Sequence, residues 1–133
     1  MNSKELGKLG EKIAEKYLRK KRYKILAQNF KRKWGELDMV AKKKGKIVFV
    51  EVKTILAREG FAPEDEIDWK KKKQLRKMAQ IYLSENKIPF DSPWQIDIVA
   101  VEISTDFKKA KIRHFKNAIE DIYWHVLSFL LNL

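Results

Sequence analysis

Apolar residues near the start of the chain recur three and four positions apart: Leu6, Leu9, Ile13, Ala14, Tyr17 and Leu18. That spacing predicts an amphipathic helix, capped by Ser3 and closed by Lys20, Lys21 and Arg22, where the helix macrodipole favours cations. Leu6 rather than an acid stands three residues after Ser3, so no full capping box is expected. Residues 23–30 read as a first strand. Residues 35–53 hold two apolar, β-branched runs separated by a lysine-rich turn ending at Gly45, the pattern of a β-hairpin. From 54 to 66 the period is lost and Gly60 and Pro63 appear, so a long loop is expected. Asp68 is placed to cap a second helix with the stripe Leu75, Met78, Ala79, Tyr82 and Leu83. Residues 95–102 are apolar on both faces, as in a central strand, and 110–115 read as a shorter edge strand. Residues 119–133 return to helical spacing. They are too short to span a membrane and too apolar for water, so they should pack on the domain or on a second copy of the chain. This order predicts an α/β fold, a mixed sheet of about five strands with helices on its faces.

If the hairpin turn is centred on Lys44 and Gly45, Val40 faces Phe49, Asp38 faces Glu51 and Glu36 faces Lys53. Period two then collects Glu36, Asp38, Glu51 and Lys53 on one face and sends Leu37, Met39, Val48, Val50 and Val52 to the other. Glu36 opposite Lys53 is a favourable pair. Asp38 opposite Glu51 sets two carboxylates side by side, which is destabilising unless a cation lies between them. Two hard oxygen donors at that separation suit Mg²⁺ or Mn²⁺, and the neighbouring lysine is placed to position a water or steady a phosphate. A surface hairpin kept soluble by its charges is the plainer alternative. In the first helix, Gly7 and Gly10 each cost about 1 kcal/mol relative to alanine, which points to a close approach there. Glu11 lies on the same flank, either in that uncrowded groove or as a solvated acid beside Lys8 and Lys12.

Charge sharpens the picture. Lysine and arginine outnumber acids 30 to 18, a net charge of +12, which fits a polyanion such as nucleic acid. A thermophile-like composition raises both signs and leaves the excess unexplained. Lys70, Lys71, Lys72, Lys73 and Arg76 crowd the start of the second helix against its macrodipole, a strain that a phosphate backbone relieves. A solvated basic face is the alternative. The absence of cysteine excludes a disulfide framework and a zinc–thiolate site and fits a reducing compartment. No apolar run reaches the ~18–20 residues of a membrane span, and the first residues lack the apolar core of a secretory signal. A soluble cytoplasmic protein with one domain is therefore expected from 133 residues. Asp97, the acid inside the apolar fourth strand, and His114 are each either a ligand or a hydrogen-bonded structural group.

Several separated motifs together resemble the YraN family of small bacterial proteins. They are Gly10-Glu11, Asn29-Phe30, the run Gly-Glu-Leu-Asp-Met-Val-Ala at 35–41 and the run Val-Phe-Val-Glu-Val-Lys-Thr at 48–54. The spacing of Ile67, Lys71 and Leu75, then Asp97-Ile98-Val99, and His114 with Asn117-Ala118 add to them. The resemblance covers about residues 5–118. It implies a restriction-endonuclease-like core of the PD-(D/E)xK nuclease superfamily over residues 1–118, similar to archaeal Holliday-junction resolvases, with 119–133 as an added helix. By that resemblance Asp38, Glu51 and Lys53 form a metal-dependent site joined by Glu11. Asp38, Glu51 and Glu11 then hold Mg²⁺ or Mn²⁺, and Glu36 sets the position of Lys53. Lys70, Lys71, Lys72, Lys73, Arg76 and Arg58 hold flanking phosphates; Arg58 stands in for an arginine usual where this chain has Ile55. Leu37 replaces a frequent proline and Gln95 a frequent arginine. The activity implied is a metal-dependent endonuclease acting on DNA, branched or repair intermediates included. A non-catalytic nucleic-acid-binding protein of the same fold is the alternative, with a homodimer through the C-terminal helix as a further expectation.

Overall fold

A computed structural model describes residues 1–58, 60–89 and 91–119 of the chain. Helix α1 (Ser3–Lys20) is followed by strands β1 (Lys24–Arg32), β2 (Gly35–Lys43) and β3 (Lys46–Leu56). A short 3₁₀ helix (Pro63–Glu66), helix α2 (Trp69–Glu85), β4 (Trp94–Ile103) and β5 (Ala110–Phe115) complete the order. The five strands form one mixed sheet in the order β1-β2-β3-β4-β5. Only the β3–β4 pair is parallel, and α2 lies in the crossover that such a pair requires. This is the α/β layering expected from the sequence, consistent with a restriction-endonuclease-like core.

Helices cover both faces. On one, Ala14 and Leu18 of α1 pack with Met39, Val50, Val99 and Val101. On the other, Leu75, Met78, Ala79 and Leu83 of α2 pack with Val40, Phe49, Ile96 and Ile98. The α2 stripe is the one its periodicity specified, and Asp68 caps it by accepting from the Lys71 amide at 2.8 Å. The α1 cap lies one residue earlier than expected. Asn2 Oδ1 accepts from the Glu5 amide, and the Glu5 carboxylate accepts from the Asn2 amide, so a complete capping box is present. Asparagine caps as well as serine, and the box tips the choice to the residue whose third neighbour is an acid.

β3 runs beyond Lys53 to Leu56, because parallel pairing with β4 continues to Leu56–Ile103 where the apolar pattern has already ended. The hairpin register follows the expected one from Lys43–Lys46 to Met39–Val50. There the ladder stops, so the expected Asp38–Glu51 and Glu36–Lys53 backbone pairs do not form. The alternation of faces also breaks. Leu37 joins the α2-side core, whereas Met39 joins the α1-side core with Val48, Val50 and Val52. The partner strand shows why: Gln28–Met39 and Phe30–Leu37 pair on either side of Asn29, which adopts a left-handed φ of 51°. A left-handed residue inside a strand turns the next side chains to the opposite face.

The last described residue, Ile119, is buried against the α2 side, and the Ala118 amide donates to Ile96 O. The expected C-terminal helix and a dimer through it fall on residues outside the described ones. Among the described residues, no helix is long and apolar enough to cross a membrane.

Gly10 is where α1 crosses β3. A Cβ there would stand 1.8 Å from Thr54 Oγ1 and 2.6 Å from Thr54 Cβ, whereas one on Gly7 would meet nothing within 4 Å. Thr54 is short and β-branched and cannot swing away. Gly10→Ala should therefore lower stability by roughly 1–3 kcal/mol through overpacking. Gly7→Ala should raise it by about 0.5–1 kcal/mol through helix propensity. Urea titration of both variants checks the opposite signs.

Candidate active site

Where β2 and β3 part, the side chain of Asp38 takes over from the ladder. Its Oδ2 accepts from the Val52 amide at 2.7 Å, which ties β2 to β3 between Glu51 and Lys53. The strands open there into a cleft of about 1070 Å³, bounded by the first half of α1, the end of β3 and the start of α2. Asp38, Glu51, Glu11, Glu36, Lys53, Arg58 and Lys71 all line it.

Glu51 is 7% exposed, and its Oε2 is buried without a hydrogen-bond partner. The nearest cation is Lys71 Nζ at 3.5 Å, too long for the charge-assisted hydrogen bond that would satisfy a buried carboxylate. Burial first, then the charge and hydrogen bond of Asp38, push the Glu51 carboxyl up to about 9, with Lys71 opposing. On the other flank, Glu11 reaches the same Asp38 from α1. Burial, then Asp38, then Glu36 raise its carboxyl to about 7, with Lys8 opposing. Glu11 is half-buried and lines the cleft. Asp38 thus acts on the acidity of both carboxyls, each of which is held above its ordinary range.

Among the described residues, no three carboxylates or imidazoles stand as a ready-formed cation cage; Asp38 Oδ2 is engaged by the Val52 amide instead. The chemistry of the set nonetheless fits a hard divalent cation. Its donors are oxygens, one is buried and unsatisfied, and proton retention is what close carboxylates do when no metal neutralises them.

Lys53 is not paired with Glu36 as the extended register required. Its Nζ meets Glu66 Oε2 at 2.6 Å, an acid of the 3₁₀ helix that also lines the cleft. Glu36 pairs with Lys31 in the β1–β2 ladder and acts instead on the acidity of Glu11. Glu66 and Asn29, both on the cleft wall, were missed as site residues. The signals were present: three consecutive acids at 64–66 in a basic chain, and an asparagine inside a strand. The 3₁₀ helix is held in place by Glu64, whose carboxylate accepts from Arg113 of β5 at 2.6 and 2.9 Å.

The expected phosphate-binding set divides. Lys71 turns into the cleft toward Glu51, and Arg58 lines its wall with the guanidinium 3.6 Å from the Phe61 ring centre. Lys70 and Lys73 are exposed on α2, and Lys72 and Arg76 half-buried; these four do not line the cleft. Asp97 lies apart from the acids, fully buried in β4. It accepts from Gln95 Nε2, from the Asn117 amide and from His114 Nε2 at 2.7 Å, while His114 Nδ1 pairs with the Tyr17 hydroxyl at 3.0 Å. Both Asp97 and His114 are therefore satisfied structural groups.

The sequence model described as uncharacterised protein family UPF0102, the family that the motifs resemble under the name YraN, matches residues 10–101. A UPF0102 protein of Caldanaerobacter subterraneus subsp. tengcongensis is 40% identical over 119 residues, 89% of this chain and 97% of the relative. One from Syntrophomonas wolfei subsp. wolfei is 42% identical over 116 residues, 87% of this chain and 98% of the relative. One from Alkaliphilus oremlandii is 37% identical over the same length, 87% and 98% of the two chains.

The raised carboxyls give a signed prediction. A carboxyl with a folded-state pKa above its unfolded value, as for Glu51 at about 9 and Glu11 at about 7, makes the native fold lose stability as pH rises from about 4.5 through those values. Asp38→Asn removes the charge that raises both and keeps an oxygen for the Val52 amide. In chelator at pH 8 it should be more stable than the parent by on the order of 1 kcal/mol, with the gap closing below about pH 4.5. Thermal melts across that range test it; a variant less stable at pH 8 would contradict the cluster.

Proposed function

The chain belongs to the uncharacterised protein family UPF0102, and from that premise we propose that it is a divalent-metal-dependent endonuclease acting on DNA. The observation that carries this reading is the buried, unsatisfied Glu51 carboxylate held against Asp38 beside a lysine-lined cleft. The order of these groups supports it: an acid on the second strand and an acid-x-lysine on the third, as in the PD-(D/E)xK nucleases that the motifs resemble. The substrate class extends to branched and repair intermediates, and a reducing, cytoplasmic setting fits the absence of cysteine.

Asp38, Glu51 and Glu11, with the Val52 carbonyl, would hold Mg²⁺ or Mn²⁺. When bound, such an ion lowers the pKa of a coordinated water and offsets charge on the scissile phosphate. The remaining roles fall to this chain's own groups. Glu51 and Glu11 would serve as ligands in their ionised form, giving up to solvent the protons that burial and Asp38 favour. Lys53, aimed by Glu66, presents its ammonium to the phosphate or to the attacking water. Lys71 and Arg58 hold phosphates on either side, and Lys70, Lys72, Lys73 and Arg76 extend that contact along α2, giving a steeply salt-dependent affinity.

Incubation with nicked, flapped and four-way DNA in Mg²⁺ or Mn²⁺ tests the reading. Asp38→Ala and Glu51→Ala should each reduce cleavage by about 100-fold or more while DNA binding persists. Undiminished cleavage in either variant rules this site out. If the parent binds DNA equally well in chelator, never cleaves it, and shows no heat of metal binding that Asp38→Asn abolishes, the chain is a non-catalytic binding protein of nuclease fold.

Glu66→Gln supplies a finer test. Loss of the 2.6 Å ion pair leaves Lys53 charged but unaimed. Turnover should fall by about 10-fold, within the range seen when groups supporting a reactive site are removed. Binding in chelator should be unchanged or tighter, and single-turnover assays beside anisotropy titrations separate the two effects.

A further inference from the structure

At the tip of the β2–β3 hairpin, the far end of those strands from the acids, cations are set against cations. Lys43 and Lys46 are directly opposed across the ladder, an arrangement that destabilises an antiparallel pair. Lys43 Nζ donates to the Lys21 carbonyl at the end of α1 and lies 4.4 Å from the Tyr23 ring centre, which draws the helix end onto the hairpin. Burial, then the charges of Lys116, Lys44, Lys21 and Arg22, push the Lys43 amine below its ordinary range, so these cations converge on it. Among the described residues, no carboxylate forms an ion pair with any of the group. Among the described residues, the partner of Lys46 Nζ is the neutral Gln95 Oε1, at 3.1 Å.

The backbone is strained at the same place. Lys44 has φ 50° and Arg22 φ 67°, the left-handed region that glycine and asparagine tolerate best. Lys44 and Gly45 make the two-residue hairpin turn for which Asn-Gly is the favoured pair. Asparagine at 44 would relieve both the strain and the repulsion. The chain keeps a cation there instead, and like charges gathered without counterions are relieved by an anion.

We propose that this hairpin tip is a second phosphate-backbone contact, holding the arm of nucleic acid that runs on from the cleft. The identity of the polyanion rests on the nuclease reading of the cleft; the patch itself does not. From Gly45 to Glu51 the strand covers roughly 20 Å at about 3.3 Å per residue. That matches about six nucleotides of backbone at about 3.4 Å each, so one nucleic acid reaches both.

The test compares two triple variants of equal charge loss. Lys21→Gln/Lys44→Asn/Lys116→Gln removes cations from the patch, and Lys12→Gln/Lys16→Gln/Lys108→Gln removes exposed lysines elsewhere. Each is titrated by anisotropy in chelator against a labelled duplex of about 30 base pairs, over a salt series from about 50 to 300 mM. The patch variant should bind about 10-fold or more weakly, with the slope of log affinity against log salt reduced by about 2–3, near 0.9 per lost phosphate contact. The control should stay within about twofold, and the patch variant should melt no lower than the parent, since strain and repulsion are both reduced. Equal losses in both variants would reduce the effect to net charge and overturn the proposal. So would patch-dependent binding to phosphatidylserine vesicles with DNA affinity unchanged. A parent that binds no DNA overturns the cleft reading as well. Parent binding and Asp38-dependent cleavage that survive the patch substitutions intact overturn this proposal alone.

Discussion

The side chain of Asp38 is bonded to the backbone of the neighbouring strand, at the Val52 amide, where a ladder bond would otherwise run. That substitution of a carboxylate for a carbonyl lets the sheet stop pairing without leaving a buried amide unsatisfied, which would cost about 1–3 kcal/mol. Most of what distinguishes the molecule follows from it. The strands fork, the first half of α1 and the start of α2 face one opening, and Glu11 and Glu51 arrive at Asp38 from two different elements. Asn29, left-handed beside the fork, lets β1 follow the same turn.

Two buried acids in one sheet show what the fork does electrostatically. Asp97 and Glu51 are both hidden from solvent. Burial alone raises the Asp97 carboxyl, but the hydrogen bonds from His114, Asn117 and Gln95 outweigh it and leave the group below its usual range. Burial drives the Glu51 carboxyl upward, the neighbouring Asp38 adds to the rise, and Lys71 offsets only part of it. Burial raises both, and only Asp97 has partners that reverse the sign. The first acid fastens β4 to β5 and to the segment after it. The second is raised and keeps one oxygen without a partner.

The hairpin carries like charges at both ends, acids at the fork and cations at the tip, and neither grouping serves the stability of the isolated chain. The lysines nearest the fork, Lys53 and Lys71, already have acidic partners at 2.6 and 3.5 Å. Any further anion at those positions would displace a carboxylate already there. At the tip there is no described carboxylate to displace.

By itself the sequence determined what depends on local period and on short-range pairing. The α2 stripe, the turn at Lys44 and Gly45, the register outward to Met39–Val50 and the edge strand 110–115 follow from side-chain alternation and turn chemistry, which a linear pattern encodes. The meeting of Asp38 with Glu51 was legible for the same reason, as like charges opposed across a hairpin. The tertiary structure decided what depends on elements distant in the chain. Only the fold brings Glu66 to Lys53, sets Gly10 over Thr54, and pairs Asp97 with His114 and Tyr17. It also ends the ladder at Asp38 and sends Leu37 to the opposite face. A strict period of two cannot register a left-handed residue on the neighbouring strand, because its effect passes through the sheet rather than along the chain.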